Sequence, residues 1–204
     1  MTERGALPAV VLASASRPRA ALLTGAGIAF TTDPSAIDEA AVKASIRGEG
    51  GSAADAAEAL AALKAQQVSR RHPGALVIGA DQMLECGAAW FDKPADPAQA
   101  RRHLEALRGQ AHDLISAVAV VQDGTVLWHH VERATLTMRR FSDAFLDDYL
   151  ARAGESARRS VGVYEMEGLG IQLFSRIDGD YFAILGLPLL PILDFLRGHG
   201  VIQE

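Results

Sequence analysis

Leu76-Val77-Ile78-Gly79-Ala80-Asp81-Gln82 is a strongly apolar run that closes on a carboxylate. Such a run predicts a buried β-strand, and in open α/β sheets ligands lie in the crevice outside the strand ends. A strand that stops at Asp81 therefore brings an acid to the rim of the sheet. The alternative is that Asp81 serves only as a turn or cap residue, which is a common use of aspartate at a strand end.

A second polar cluster follows the first apolar strand of the chain, at Ser14-Ala15-Ser16-Arg17-Pro18-Arg19. Pro18 suits the first turn of a helix over Pro18–Ala26, and the serines before it can cap that helix. Small residues let a ligand approach the N–H groups at the positive helix end, and the two arginines add charge. The cluster predicts an anion site, with a Ser-capped surface helix as the alternative. The sequence contains neither a P-loop nor a dinucleotide-binding fingerprint.

The composition indicates a compact folded protein and gives no sign of a nucleic-acid or membrane partner. A chain of 204 residues fits one domain or two small lobes, and its net charge of −5 gives no reason to expect nucleic acid or an anionic membrane as a partner. The single cysteine, Cys86, excludes an internal disulfide and suits a packing role. No apolar stretch is long enough to span a membrane, and Met1–Gly5 leads on without a secretory segment. We therefore expect a cytoplasmic protein.

The order of the predicted elements indicates an α/β fold with an elongated, twisted mixed sheet flanked by helices. An acidic loop precedes a helix over Ser52–Val68, which leads into the strand that ends at Gly79. A short hairpin follows at Cys86-Gly87, and Asp123-Gly124 forms the turn of a long antiparallel ribbon. Further predicted elements are a strand over Ile28–Thr32, a helix with Asp96 as cap and Pro97 in its first turn, a helix capped by Ser142, and a last helix opened by Pro188.

Eight short motifs follow one another along the chain between Leu12 and Leu189, and both their order and their spacing are informative. They are Leu12-Ala13-Ser14-Ala15-Ser16, Ile37-Asp38-Glu39, Leu63-Lys64-Ala65, Gly79-Ala80-Asp81-Gln82, Asp92-Lys93-Pro94, Leu107-Arg108-Gly109, Gly168-Leu169-Gly170-Ile171 and Leu185-Gly186-Leu187-Pro188-Leu189. With these motifs the chain resembles the Maf family of nucleoside triphosphate pyrophosphatases. The resemblance implies a single Maf-like domain over residues 1–204, with two lobes around an active-site cleft, that pairs as a homodimer.

Hydrolysis of a nucleoside triphosphate to a monophosphate and pyrophosphate needs an activated water and cations for the leaving group. Asp81 is the first candidate for general base and metal ligand, and Glu39 is the second carboxylate, because Mg²⁺ or Mn²⁺ takes oxygen ligands together with substrate phosphates. The resemblance also assigns the catalytic acid to Asp81 and implicates Glu39.

Ser14, Arg19, Lys64 and Lys93 are the candidate substrate-binding residues. Lys64 falls at the edge of the buried stripe of its helix, where the alternative is a lysine whose stem only covers apolar surface. Lys93 precedes a proline, which holds it in an extended conformation. Together with Arg19 these lysines supply positive charge for a triphosphate.

Substrate choice rests on Pro18, Gln82 and Glu167. Gln82 and Glu167 resemble the branch of the family associated with 7-methyl-GTP, and a carboxylate can accept hydrogen bonds from a guanine edge. Pro18 departs from the family pattern, because it replaces a side chain thought to help distinguish bases. Hydrolysis of dTTP and UTP, or of triphosphates in general, is the alternative.

The six histidines form no metal-binding or triad motif, and we expect most of them at the surface. His129 and His130 point to opposite faces of the ribbon and cannot share one metal. Two other functions remain open. The first is a nucleotide-binding regulator of septum formation, a role with which the family is also associated. The second is an interaction domain whose polar clusters are incidental.

Overall fold

The computed structural model describes residues 8–203, apart from the side chains of residues 156 and 157. Within these residues a mixed sheet of seven strands is flanked by helices, which confirms the predicted α/β class. Met1–Gly5, on which the expected lack of a secretory segment rested, lies outside them. No helix in the described part of the chain is both long and apolar enough to cross a membrane.

The strands are β1 (Val10–Leu12), β2 (Thr31–Thr32), β3 (Leu76–Cys86), β4 (Ala89–Phe91), β5 (Ala111–Gln122), β6 (Thr125–Met138) and β7 (Phe174–Asp178). The helices are α1 (Arg17–Gly25), α2 (Glu39–Gly48), α3 (Ala53–Ser69), α4 (Pro97–Leu107), α5 (Asp143–Ala157), α6 (Tyr181–Ile184) and α7 (Leu189–Gly198), with a 3-10 helix at Leu169–Leu173. The sheet order is β2-β1-β3-β5-β6-β7, and β4 also pairs with β3. Among the pairings of these strands, β1–β2 and β1–β3 are parallel and the others are antiparallel.

The prediction that the central strand ends near Asp81 is wrong, because β3 continues to Cys86. The strands that end near Asp81 are its neighbours, β1 and β4. On one side β5 pairs with β3 along Val77–Glu85, but on the other side β1 covers only Leu76–Ile78 and β4 covers only Leu84–Cys86. The backbone of residues 79–83 therefore borders a gap in the sheet, which we call the notch. Asp81 lies in the middle of a strand and still reaches an open site.

One face of β3 packs against α3, and at Gly79 the two elements leave no room for a Cβ. A Cβ on Gly79 would clash with the carbonyl oxygen of Ala61 and would lie 2.8 Å from the Cβ of Ala65. The spacing of Ser52 and Asp55 predicts a capping box at the start of α3. It is present, since Ser52 accepts from the N–H of Asp55 and the Asp55 carboxylate accepts from Ser52. Glycine thus lets α3 lie directly on the strand that carries Asp81.

The opposite face of β3 carries two apolar clusters. One joins β1, α1 and α7 to Leu76 and Ile78, and the other joins α4 and α5 to Leu84. Gln82 lies between them on the same face, since alternate residues of a strand share a face. A polar strip that contains Gln82 and Ser116 separates the two clusters.

Several local predictions need correction. The expected acidic loop contains α2, whose first residue is Glu39 and whose N-cap Asp38 accepts from the N–H of Ala41. The strand expected over Ile28–Thr32 is only the two residues of β2, because it pairs with the short β1 alone. The helix expected from Pro18 begins at Arg17, and none of the described side chains caps it with a hydrogen bond.

The long ribbon and the histidines lie mostly where the sequence predicts, with one exception. The turn at Asp123-Gly124 is confirmed, since both residues have positive φ. His129 pairs with Glu58 and His130 with Glu132, so these two histidines do not share a partner. His112, by contrast, is 2% exposed. His112 is thus the exception to the expectation that most histidines lie at the surface, because it is the second residue of β5 and contacts Tyr164.

Candidate active site

A cavity of about 1100 Å³ opens at the notch. It is lined by every residue that the sequence singled out for catalysis, substrate binding or specificity: Ser14, Pro18, Arg19, Glu39, Lys64, Asp81, Gln82, Lys93 and Glu167. Among the described residues, seven cationic side chains and five carboxylates line it, whereas the whole chain carries a net charge of −5. The cavity therefore concentrates positive charge in an acidic protein and suits an anionic ligand.

Lys64 joins the two candidate catalytic carboxylates. Its Nζ lies 2.5 Å from Oδ1 of Asp81 and 2.6 Å from Oε1 of Glu39. Asp81 and Lys64 are buried, and Glu39 is half-exposed at the start of α2. Burial raises the pKa of Glu39, but the hydrogen bond and charge of Lys64, together with the charges of Lys43 and Lys93, produce a net decrease. Both acids are thus held in one place by a shared ammonium group.

Asp81 keeps one oxygen without a partner. Its Oδ2 is buried and accepts no hydrogen bond from the described residues, although buried polar atoms are nearly always paired. No group of three His, Cys, Asp or Glu side chains in the described part of the chain could hold a metal by itself. Two carboxylates and an unpaired oxygen do suit a cation of the Mg²⁺ type, which is commonly held by one or two carboxylates and the substrate phosphates.

Arg19 is fixed at the notch by the backbone. Its Nε donates to the carbonyl oxygen of Gly186 at 2.8 Å, and its Nη1 donates to the carbonyl oxygen of Ala80 at 2.8 Å and to Oγ of Ser14 at 3.1 Å. The Ala80 carbonyl faces the side of β3 that has no strand neighbour, so Arg19 takes the place of a missing ladder bond. Burial lowers the pKa of Arg19, partly offset by the charges of Asp81 and Glu39.

Lys93 enters the notch from the other side, two residues beyond the end of β4. Its side chain is open to the cavity, yet the surrounding protein desolvates the ammonium group. This desolvation, followed by repulsion from Arg19 and also from Lys64, lowers the pKa of Lys93. Arg19, Lys64 and Lys93 line one cavity, as expected of a site for several phosphate groups.

The start of α1 opens into the same cavity. Ala15, Ser16, Arg17 and Pro18 line it, and Ser14 accepts from the N–H of Ser16. Because no side chain of residues 8–203 caps α1, its first N–H groups are available to an anion at the positive end of the helix. Pro18 occupies the first turn and carries no N–H.

The two remaining specificity candidates differ in their surroundings. The amide nitrogen of Gln82 donates to Oγ of Ser116 and to the carbonyl oxygens of Ala183 and Ile184, at 2.9, 3.2 and 3.0 Å. Gln82 therefore anchors α6 between the two apolar clusters, which its place in the sequence did not indicate. Glu167 is exposed and lines the cavity on the 160–167 segment.

Sequence reasoning missed several cavity residues. Lys43 lies one turn after Glu39 on α2, and its Nζ is 2.6 Å from Oδ1 of Asp92, next to Lys93. Its spacing from Glu39 could have revealed it, had α2 been recognised as a helix. Arg158, Arg159 and the segment around Tyr164 also line the cavity, but no spacing along the chain places them there.

Comparison with known proteins adds an independent finding. A family model described as Maf-like protein matches residues 9–199. The chain is 60% identical over 93% of its length to a nucleoside triphosphate pyrophosphatase of Paramagnetospirillum magneticum, covering 98% of that protein. It is 50% identical over 96% of its length to a 7-methyl-GTP pyrophosphatase of Rhizobium meliloti, covering 98% of that protein. It is also 50% identical, over the full length of both chains, to a 7-methyl-GTP pyrophosphatase of Mesorhizobium japonicum.

Proposed function

The chain belongs to the Maf family, and from this premise we propose that it hydrolyses nucleoside triphosphates to a nucleoside monophosphate and pyrophosphate. The observation that carries the proposal is the meeting of Asp81, Glu39 and Lys64 in a cavity with a surplus of cations. A triphosphate carries several negative charges, and its cleavage moves further charge onto the leaving pyrophosphate. Preorganised cations stabilise such developing charge.

We assign the general base to Asp81. Its Oδ1 is engaged by Lys64, whereas Oδ2 is without a partner and can accept the proton of a water molecule. Lys64 holds the carboxylate in position and contributes charge close to the reacting phosphate. Arg19 and Lys93, which flank the notch on its two sides, bind phosphate oxygens and hold the substrate in line.

We propose that Asp81 and Glu39 also hold a divalent cation, Mg²⁺ or Mn²⁺. When bound, such an ion supplies Lewis-acid polarisation of phosphate oxygens. The support is that the two carboxylates line one cavity and that Glu39 is half-exposed to it.

We propose 7-methyl-GTP as the favoured substrate, so that the enzyme removes a modified nucleotide. Glu167 is an exposed carboxylate at the cavity, able to accept from the N1–H and amino group of guanine. The positive charge of a 7-methylated guanine adds to that attraction. Two relatives carrying the name 7-methyl-GTP pyrophosphatase support this choice, while dTTP/UTP or broad triphosphate hydrolysis is the competing assignment.

The test is pyrophosphate release from 7-methyl-GTP, GTP, UTP and dTTP, each with and without Mg²⁺. We expect metal-dependent release with the highest kcat/KM for 7-methyl-GTP, and a Glu167→Gln variant that loses this preference. A higher kcat/KM for the pyrimidine nucleotides, or an unchanged preference in Glu167→Gln, contradicts the substrate assignment. If no nucleotide releases pyrophosphate, the proposed enzymatic activity is wrong. A nucleotide-binding regulator is then the remaining alternative.

Two further sequence expectations stay predictions. One is the homodimer, and the other is the cytoplasmic location. Neither enters the assignment of the reaction, because every residue used above belongs to one chain.

A further inference from the structure

The segment Ser160–Glu167, which we call the cavity wall, faces the notch from the side opposite to Lys64. Residues 160–162 and 164–167 of the wall line the cavity, and Glu167 is its last residue. The wall has no regular secondary structure; it lies between α5 and the 3-10 helix. A loop of this kind is ordinarily mobile, so the contacts that hold it require an explanation.

Two other elements hold the wall through buried polar contacts, and β7 adds a ring contact. The Tyr149 hydroxyl on α5 donates to the carbonyl oxygen of Val163 at 2.8 Å. The Tyr164 hydroxyl lies 2.8 Å from Nε2 of His112 on β5, and its ring packs edge-on against Phe174 at 4.8 Å. Both tyrosines and His112 are buried.

Within the wall, Ser160 and Tyr164 close a tight turn. The Ser160 hydroxyl donates to the carbonyl oxygen of Tyr164 at 2.6 Å and accepts from the Tyr164 N–H at 2.9 Å. Gly162 lies against the Tyr164 ring so closely that a Cβ would clash with Cε1 and would lie 2.6 Å from Cζ. Only glycine at position 162 therefore leaves room for the Tyr164 ring.

The wall also stores backbone strain. Val163 has φ +63° and is fully buried, although a β-branched residue rarely adopts positive φ. Such conformations persist only where the surroundings over-determine them, and they cluster at functional sites. In addition, His112 leaves its buried Nδ1 without a partner among the described residues. The fold thus tolerates two unfavourable local features to keep the wall in one conformation.

We propose that Tyr149, Tyr164 and His112 are positioning residues for base selection, acting through the cavity wall on Glu167. The inference rests on the proposed function, in which Glu167 contacts the base. The phosphate end of the site is built on other elements, since Asp81 lies on β3, Lys64 on α3 and Glu39 on α2. Loosening the wall therefore weakens discrimination between bases and leaves the phosphate chemistry intact.

The experiment removes one hydroxyl at a time, with Tyr164→Phe and Tyr149→Phe. Tyr181→Phe is the matched control, because Tyr181 is half-exposed and does not line the cavity. Steady-state kinetics with 7-methyl-GTP and UTP give the ratio of the two kcat/KM values, and tripolyphosphate inhibition reports the phosphate site alone. Thermal unfolding of each variant shows whether it is folded.

We expect the ratio of kcat/KM for 7-methyl-GTP over UTP to fall towards unity by about tenfold in each network variant, the effect of one lost buried hydrogen bond. The change should lie in KM for 7-methyl-GTP, with kcat and tripolyphosphate inhibition within about twofold of wild type. Tyr181→Phe should match the wild type throughout.

An unchanged ratio in an active, folded Tyr164→Phe protein overturns the inference and leaves the pyrophosphatase standing. Equal losses for both nucleotides and for tripolyphosphate also overturn it, because they mark a general structural role. If Tyr164→Phe does not fold, Tyr149→Phe decides, since it acts on the wall from α5 without touching the Tyr164 ring contacts. If the wild-type protein hydrolyses no triphosphate, the result contradicts the proposed function rather than the role of the cavity wall.

Discussion

Asp81 combines burial, a bound lysine and an unpaired oxygen, and these three properties distinguish it from an ordinary strand residue. We predict that Asp81→Asn lowers kcat by about 10²- to 10⁴-fold, the range expected for a lost general base. The amide has nearly the same shape, so the variant should remain folded by circular dichroism. Near wild-type turnover of the folded variant with Mg²⁺ present would disprove the assignment.

Arg19, Lys64 and Lys93 surround the notch as a set of cations, and their removal should weaken triphosphate binding or turnover. We predict a loss of about ten- to a hundredfold for each alanine variant, on the order of 1.4 kcal/mol per tenfold. The loss should be larger for triphosphate than for monophosphate binding, measured by calorimetry. Arg152→Ala, at an exposed arginine of α5, is the control. Equal losses for both ligands would indicate general destabilisation.

His112 makes the stability of the fold sensitive to acid. Burial lowers its pKa from 6.5 to about 4 in the folded protein, so the unfolded chain binds the extra proton first. The free energy of unfolding should therefore decrease as pH falls from 6.5 towards 4, by up to about 3 kcal/mol from this group.

The measurement is urea unfolding at several pH values across that window. His112→Gln should show a shallower dependence on pH, because glutamine takes up no proton. His199→Gln, at an exposed histidine, should follow the wild-type curve. A wild-type slope retained in His112→Gln would assign the acid sensitivity to other groups.

The packing of α3 on β3 contributes to the stability of the fold and also holds Lys64 next to Asp81. We predict that Gly79→Ala separates them, since its Cβ would clash with the Ala61 carbonyl oxygen. The variant should lose about 1–3 kcal/mol of stability, the usual cost of overpacking. It should also lose activity, because Lys64 moves with α3 away from Asp81.

Gly198→Ala is the matched control for this change. Gly198 ends α7, and its Cβ would meet no atom of the described residues within 4 Å. Alanine there should leave activity unchanged and alter the melting temperature little. If Gly79→Ala keeps both its melting temperature and its turnover, the close approach of α3 does not set the Lys64–Asp81 contact.

The whole molecule is expected to pair as a homodimer. Of the apolar C-terminal stripe Leu189, Leu190, Ile192, Leu193 and Leu196, three residues are buried in the core, and Leu190 is 60% exposed. The stripe thus serves mainly as core, and an interface on α7 would centre on Leu190. Light scattering at micromolar concentration should give about twice the 21.6 kDa of the chain. A monomer mass would contradict the dimer, and an unchanged dimer in Leu190→Asp would place the interface elsewhere.

The sequence by itself determined those features that depend on neighbours along the chain. The capping box at Ser52, the Asp96 cap before Pro97 and the Asp123-Gly124 turn are present as predicted, because caps and turns are formed by residues within a few positions of one another. The motifs around Ser14, Lys64 and Lys93 also identified in advance the segments that line the cavity.

The tertiary structure alone decided how those segments become a site. Asp81 faces an opening because β1 and β4 leave part of β3 unpaired, and the ends of neighbouring strands are not encoded next to Asp81. Likewise, the burial of His112, the anchoring of α6 by Gln82 and the strain at Val163 arise from contacts between distant parts of the chain. Local patterns set the faces and ends of most elements, but packing between elements sets which polar groups meet.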